Sequence, residues 1–103
     1  MPPPLTEEQR RQALQKAAIA RRKRAELKEQ LKRGSITLND LLQRKGDEIV
    51  GKMKVSTVLE SLPGVGRVRA RKLMERLEIS DSRRMRGLGE KQKKNLLDEF
   101  ARR

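Results

Sequence analysis

Residues 62–66 read Leu-Pro-Gly-Val-Gly, and these residue types at this spacing can form a site for an anion. Pro63 cannot continue a helix, and the glycines permit backbone turns that other residues avoid. Because the turn carries little side chain, its N–H groups can approach another molecule closely, and the start of the following helix adds partial positive charge. Four cations follow at once, namely Arg67, Arg69, Arg71 and Lys72. This stretch therefore favours the binding of phosphate, with nucleic acid as the expected source.

The same stretch resembles the helix–hairpin–helix motif, whose turn has the pattern hydrophobic-Pro-Gly-hydrophobic-Gly. Residues 62–66 match that pattern at every position. The alternative is an ordinary helical hairpin with glycine turns, and the surrounding positive charge favours the phosphate site over it. The contacts that we predict here come from Gly64, Val65, Gly66, Arg67, Val68, Arg69, Arg71 and Lys72.

A second glycine turn, Arg86-Gly87-Leu88-Gly89, lies about one helical hairpin further along the chain. The Ser-Asp-Ser sequence at residues 80–82 offers N-caps, so we expect a short helix through residues 83–85 before this turn. Arginines and lysines near both turns extend the predicted contact with phosphate. The additional residues are Lys52, Lys54, Arg83, Arg84, Arg86, Gly87 and Gly89.

The chain of 103 residues carries 27 Lys and Arg against 14 Asp and Glu, a net charge of +13 with a pI of about 11.1. This excess implies a polyanionic partner. A membrane is disfavoured, because no helix pairs a basic face with a broad apolar face and no apolar run approaches ~20 residues. Cys and His are absent, which excludes disulfides and the usual zinc sites, so we expect neither cofactor nor metal. With no signal peptide visible, a cytoplasmic location is expected.

Positive charge is concentrated in two segments, residues 1–33 with net +6 and residues 52–103 with net +8, separated by a connector of net −1. The first segment contains a continuous run of four cations at residues 21–24. Four consecutive residues surround most of a helix, so the run defines no single face. It is either a solvated helix that aids solubility or an arm that lies along a phosphate backbone. In the second interpretation the contacts come from Arg21, Arg22 and Arg24.

The apolar and capping pattern predicts helices throughout. A long helix is expected from a capping box at Thr6 to residue 33, ended by Gly34, and a short one over residues 35–45. Residues 47–51 read as a turn. A further helix carries Val55, Val58 and Leu59 at helical spacing, and we expect it to pack on the helix after the hairpin. In that contact the helix after the hairpin is expected to bury Ala70, Leu73, Met74 and Leu77. The last helix, which begins at residue 90, is expected to bury Leu96, Leu97 and Phe100.

The whole chain resembles the actinobacterial integration host factors, which are small basic nucleoid proteins. The matching stretches are residues 5–10, 20–22, 24–28, 51–56, 62–66 and 83–89. The resemblance implies an all-α fold in which a long N-terminal helix packs on a compact helix–two-turns–helix domain. We accordingly divide the chain into a flexible leader (residues 1–5), an N-terminal arm with a short second helix (6–46) and a DNA-binding domain (47–103).

The resemblance also implies a function. Proteins of this family bind duplex DNA with little sequence preference, bend and compact it, and assist site-specific recombination of phage DNA. The expected partners are duplex DNA and a phage integrase. We expect the protein to be a monomer that is located in the nucleoid, and we expect no enzymatic activity. The residues agree, because no cluster of Asn or Gln lies on a basic helix to identify bases and no aromatic platform is present for single strands.

Two other classes remain open. A ribosomal-type RNA-binding protein would have the same charge and fold class, and competition between duplex DNA and RNA distinguishes it. A DNA-repair lyase or glycosylase is the second, because glycosylases with a related domain use an N-terminal proline as nucleophile and removal of Met1 would expose Pro2. The simpler interpretation of residues 2–4 is a stiff leader, and the chain is too short for a pocket that holds a flipped base.

Overall fold

The computed structural model describes residues 4–44 and 46–101, and all regular structure in these residues is helical. The elements are α1 (Glu7–Arg33), α2 (Leu38–Leu42), α3 (Glu48–Lys52), α4 (Val55–Glu60), α5 (Arg67–Arg76), a 3-10 turn (Met85–Gly87) and α6 (Glu90–Ala101). The expectations for Pro2 and for a helix end at Lys45 lie outside the described residues. The all-α prediction is confirmed. None of the described helices is both long enough and apolar enough to cross a bilayer.

Helix α1 begins and ends where the sequence predicts. Thr6 and Gln9 form a reciprocal capping box, and Gly34 closes the helix in the left-handed conformation with φ of 77°. Its 27 residues span about 40 Å, yet the buried side chains are only Leu27 and Leu31. Residues 7–19 are exposed throughout. The C-terminal half of α1 therefore belongs to the core, while its N-terminal half projects as an arm.

Three predictions about the connecting segments were wrong. The second helix covers only Leu38–Leu42, because a capping box of Thr37 with Asp40 begins it at Leu38 and it ends at Leu42. Residues 47–51 are not a turn: α3 forms here because the carboxylate of Asp47 caps it by accepting from the Val50 amide at 3.1 Å. Residues 83–84 are not helical, because the Arg83 carbonyl accepts from the Val55 amide at 3.0 Å, and only the 3-10 turn follows.

One hydrophobic cluster joins residues from both ends of the chain. Leu31 of α1, Leu59 of α4 and Leu96 of α6 are completely buried in it. Helices α4 and α5 pack on each other, as predicted, and bury Ala70, Leu73 and Met74, with Leu77 partly buried. Leu27 and Leu31 belong to this core. The C-terminal half of α1 therefore packs on helices that follow residue 46, where we placed the start of the DNA-binding domain.

The Asp40 carboxyl group makes part of the stability dependent on pH. Hydrogen bonds from the backbone N–H of Thr37, at 2.8 Å, and from its hydroxyl hold the pKa of Asp40 below its ordinary value. The pKa is lower in the folded state, so this stabilisation is present above the unfolded value of ~4 and is lost as the pH falls further. We expect the melting temperature to fall below about pH 4 and Asp40→Asn, which keeps an acceptor, to reduce that fall. An unchanged acid loss in the variant would exclude Asp40 as a contributor.

Candidate nucleic-acid interface

The hairpin between α4 and α5 is a tight turn whose backbone is open on the outside. Gly64 has φ of 73°, which an L side chain seldom adopts, and the Val65 amide closes the turn by donating to the Leu62 carbonyl at 3.1 Å. The Val65 side chain is buried, so only the backbone of this predicted contact residue faces outwards. No side chain caps the start of α5 at Gly66. The first N–H groups of α5 are therefore available to an anion.

The backbone conformation at position 66 does not require a glycine. With φ of −89° and ψ of 177° it is extended, a conformation open to any residue, and an added Cβ would meet nothing within 4 Å. A side chain here would instead project into the space in front of the first turn of α5. The benefit of glycine at this position is that another molecule can approach the helix start closely.

The cations around the hairpin remain exposed. Arg67 is 3.9 Å from Glu60 but its side chain is 81% exposed, so that pair leaves the guanidinium accessible. Arg69 bends back towards the turn and donates to the Gly64 carbonyl at 3.4 Å. Arg71, Lys72 and the apolar Val68 are exposed along the same helix. The predicted hairpin residues therefore share one region of positive charge.

A second set of predicted residues is brought together by tertiary packing. Helix α1, the α3–α4 junction and the segment before the 3-10 turn enclose a shallow groove, which we call the basic groove. No carboxylate lines it among the described residues, and its only uncharged polar side chain is Thr57. Its cations are Arg21, Arg24 and Lys28 from α1, Lys52 and Lys54 from the junction, and Arg84.

Backbone pairing positions Arg84 in the basic groove. The Met85 amide donates to the Met53 carbonyl at 2.8 Å, and Lys54 and Arg84 form an isolated antiparallel bridge. The Arg84 guanidinium also donates to the carbonyl of Lys52. A guanidinium has five N–H donors, so this contact orients the group and leaves other donors for a phosphate.

Arg83 has a different environment from Arg84 although the two are adjacent. Its guanidinium donates to the Gly87 carbonyl at 2.8 Å, and a Cβ on Gly87 would lie 3.2 Å from the Arg83 Cδ. We therefore expect Arg83→Gln to lower the stability of the protein by about 1 kcal/mol while the folded fraction binds nearly normally. Arg84→Gln loses a comparable hydrogen bond, to the Lys52 carbonyl, so we expect a similar loss of stability but clearly weaker binding of duplex DNA by the folded fraction. Thermal melting and fluorescence anisotropy on the same samples check this, and equal binding losses would contradict it.

The remaining predicted residues are not part of the basic groove or the hairpin. Arg86 lines a separate cavity with Arg44 and Glu48. The amides at the second glycine turn are satisfied internally: that of Gly87 donates to the Arg84 carbonyl at 2.9 Å and that of Gly89 to Gln92 Oε1 at 3.0 Å. Arg22 is exposed on α1 outside the residues that line the groove. A role for these residues in binding stays a prediction.

A second groove adjoins the basic groove on the side of the hairpin, and its lining includes the carboxylates Glu29 and Glu60. This groove, between α1 and the end of α4, is lined in part by Ala25, Lys28 and Thr57, which also line the basic groove. It reaches Ser61, one residue before the hairpin begins. Lys28 lines both grooves, and it was not among the binding residues predicted from the sequence. Its spacing of four from Arg24 and seven from Arg21 places it on the same helix face, which was the available signal.

The sequence of the chain is closely related to proteins from actinobacteria. It is 57% identical over 99 residues to the "Integration host factor" of Mycobacterium tuberculosis, covering 95% of this chain and 94% of that protein. The protein of the same name from Streptomyces coelicolor is 58% identical over 99 residues, covering 95% and 92%. This chain belongs to the actinobacterial integration host factor family. The resemblance recognised in its sequence is confirmed.

The fold of the family is confirmed by two further comparisons. Residues 31–100 match the model of the S13-like H2TH domain, which is the helix–two-turns–helix domain. The solved "Structure of sIHF bound to an 8bp palindromic DNA" superposes with a TM-score of 0.81 at 54% identity, covering 84% of this chain and 98% of that one. The matched domain begins at Leu31 of α1 and contains the hairpin, whereas the α1 cations of the basic groove precede it.

Proposed function

We propose that this chain binds duplex DNA mainly through the phosphate backbone, with little sequence preference, and bends it. The observation that carries this proposal is the basic groove of six cations, which occurs on the same molecule as a hairpin with open backbone amides. Phosphate contacts position a protein on DNA and carry no sequence information. A relative of the same fold is described as bound to DNA, which supports the choice of polyanion.

Sequence preference should be weak because groups that identify bases are scarce on this surface. The basic groove has no Asn or Gln among its lining residues in the described chain, and the hairpin presents backbone amides and cations. Bidentate recognition of bases depends on side chains such as Asn, Gln or Arg that reach base edges in a groove of the duplex. The arginines here lie around a concave surface and a turn, where the phosphate backbone is the accessible partner.

The test of this proposal is a salt titration with duplexes of different sequence. The logarithm of the binding constant should fall linearly with the logarithm of salt concentration, with a slope of about −0.9 per contacted phosphate. Random and AT-rich duplexes should differ little, and duplex RNA should compete poorly. A specificity ratio approaching ~10³ would contradict the proposal, and stronger binding of RNA would favour the ribosomal-type alternative.

Bending follows if the duplex contacts the hairpin and the basic groove together. Phosphates neutralised on one side of a duplex repel each other less, so the duplex curves towards the protein. Bending a site of ~20–30 base pairs costs about 1–6 kcal/mol, and contacts at separated places are needed to offset it. In the cell this activity would compact the nucleoid and help a monomer of this protein to arrange phage DNA for a site-specific integrase. Reconstituted integration with and without the protein tests that role.

We propose no catalytic role for this chain. The names of its relatives describe a DNA-associated factor and not an enzyme. The alternative of a lyase is tested by borohydride reduction on abasic duplex DNA, which traps the imine that an N-terminal amine would form. A trapped covalent complex that forms only after removal of Met1, and that disappears when the amine of Pro2 is then acetylated, would overturn the proposal.

A further inference from the structure

A third groove lies between α5 and α6 and begins at the hairpin. Five of its lining residues are also predicted phosphate contacts, namely Gly66, Arg67, Val68, Arg69 and Lys72. Its lining contains Val68, Leu73 and Phe100, and its cavity volume is about 670 Å³. Val68 is 68% exposed and adds apolar surface beside Leu73 and Phe100. We call this surface the α5–α6 groove. It combines an apolar floor with a charged rim, as docking sites for other polypeptides do.

The rim of the α5–α6 groove is positive. Four cations line it, and the single lining carboxylate, Glu99, already pairs with Arg76 at 2.6 Å. The groove therefore fits a segment that presents an apolar side chain next to acidic ones. The cations are Arg67, Arg69, Lys72 and Arg76.

The chain itself carries such a segment at the tip of its projecting arm. Leu5 is 58% exposed, and Glu7 and Glu8 follow in the first turn of α1. Neither glutamate is in an ion pair within the part of the chain that the structure describes. The capping box of Thr6 and Gln9 fixes the direction of the backbone at Leu5, which precedes α1. Acidic residues and an exposed leucine thus occur together in the one part of α1 that is remote from the core.

This tip can reach only another copy. Leu5 precedes the first buried residue of α1, Leu27, by 22 residues, a distance of about 33 Å along the helix. The α5–α6 groove belongs to the compact part of the same molecule, so a straight α1 keeps its own tip away from it. We propose that the N-terminal tip of one copy docks into the α5–α6 groove of a second copy, so that copies associate head to tail along DNA.

The size and symmetry of this contact determine how it acts. One leucine and one helix turn bury far less than the ~1,000 Å² of a stable interface, so the isolated protein remains a monomer. A duplex that holds copies side by side raises their effective concentration, and the contact then forms. Because tip and groove are different surfaces, the contact is heterologous and continues from copy to copy. The inference rests on the proposed DNA binding for this concentrating effect. It also requires that the duplex contact the open amides at the start of α5 while Arg67, Arg69 and Lys72 remain accessible to the tip of the next copy.

Cross-linking tests the proposal directly, because the chain contains no cysteine. Leu5→Cys protein is mixed with Val68→Cys protein on a long duplex and treated with a short bis-maleimide. The matched control replaces Leu5→Cys by Leu14→Cys, which lies on the same arm and is 66% exposed. Anisotropy measures duplex binding of every sample, so loss of DNA binding is distinguished from loss of docking.

We expect the Leu5–Val68 pair to give about tenfold more cross-linked dimer than the Leu14–Val68 pair, and the long duplex to raise the yield. Adding Glu7→Gln and Glu8→Gln to the Leu5→Cys chain should lower that yield while the duplex is still bound. Equal yields from the two pairs would overturn the proposal. So would a yield that falls when duplex is added, because the tip would then compete with DNA for α5.

Discussion

We expect Gly66→Asp to abolish most DNA binding and to leave the protein at least as stable as the wild type. The extended backbone of Gly66 and the empty space around its missing Cβ allow an aspartate without strain. Aspartate is a better N-cap than glycine, so the new carboxylate accepts from the open amides of α5 and stabilises the helix by a few tenths of a kcal/mol. The same carboxylate occupies the site that the phosphate needs.

The expected loss of affinity is large because two effects act together. A phosphate loses its charge-assisted hydrogen bonds to the backbone, each contributing about 1.5–3 kcal/mol, and meets a negative charge instead. We expect the dissociation constant to rise about a hundredfold, which corresponds to about 2.8 kcal/mol. Gly66→Asn is the matched control, because asparagine caps equally well and lacks the charge.

Anisotropy with a labelled duplex and thermal melting of the same protein samples give the result. Gly66→Asn should bind better than Gly66→Asp, and the difference should shrink as salt is added, because screening weakens the repulsion. A Gly66→Asp protein that binds normally would exclude the hairpin as a phosphate site. A protein that unfolds would contradict the geometry that we describe for Gly66.

Local signals predicted the elements that local chemistry controls. The capping box at Thr6, the left-handed Gly34 and the glycine hairpin all depend on residues within five positions of one another, and each was found. The segment at residues 80–85 was predicted wrongly for the opposite reason. Its N-cap residues favour a helix, but pairing of Arg83 with Val55, 28 positions earlier in the chain, holds the backbone extended.

The face of α1 that we propose to contact DNA could not be inferred from residues 21–24 alone. A run of four cations surrounds the helix, and only the burial of Leu27 and Leu31 against the core orients it. That orientation places Arg21, Arg24 and Lys28 beside Lys54. The same burial means that removing residues 1–33, which the charge pattern suggests as a test of the arm, would open the core. Surface substitutions on α1 are the appropriate test.

Arg21→Gln with Arg24→Gln should weaken DNA binding far more than Arg22→Gln with Lys23→Gln. Each double variant removes two positive charges from the same helix, but only the first pair lines the basic groove. At about 100° of helical rotation per residue, Arg22 lies on a different face from both groove arginines. If both groove contacts are lost, the salt slope decreases in magnitude by about 1.8 and the affinity at ~0.15 M salt falls about thirtyfold.

Bending provides the second readout of this pair of variants. Without the groove contacts, the hairpin alone holds the duplex, and contacts at one place cannot offset a bending cost of about 1–6 kcal/mol. Energy transfer between the ends of a labelled duplex, measured at saturating protein, should therefore fall for the groove variant and stay at the wild-type value for the control. Equal slopes and equal energy transfer in the two variants would show that α1 contributes only general positive charge. In that case the arm would be a solvated helix, and the hairpin would be sufficient for both binding and bending.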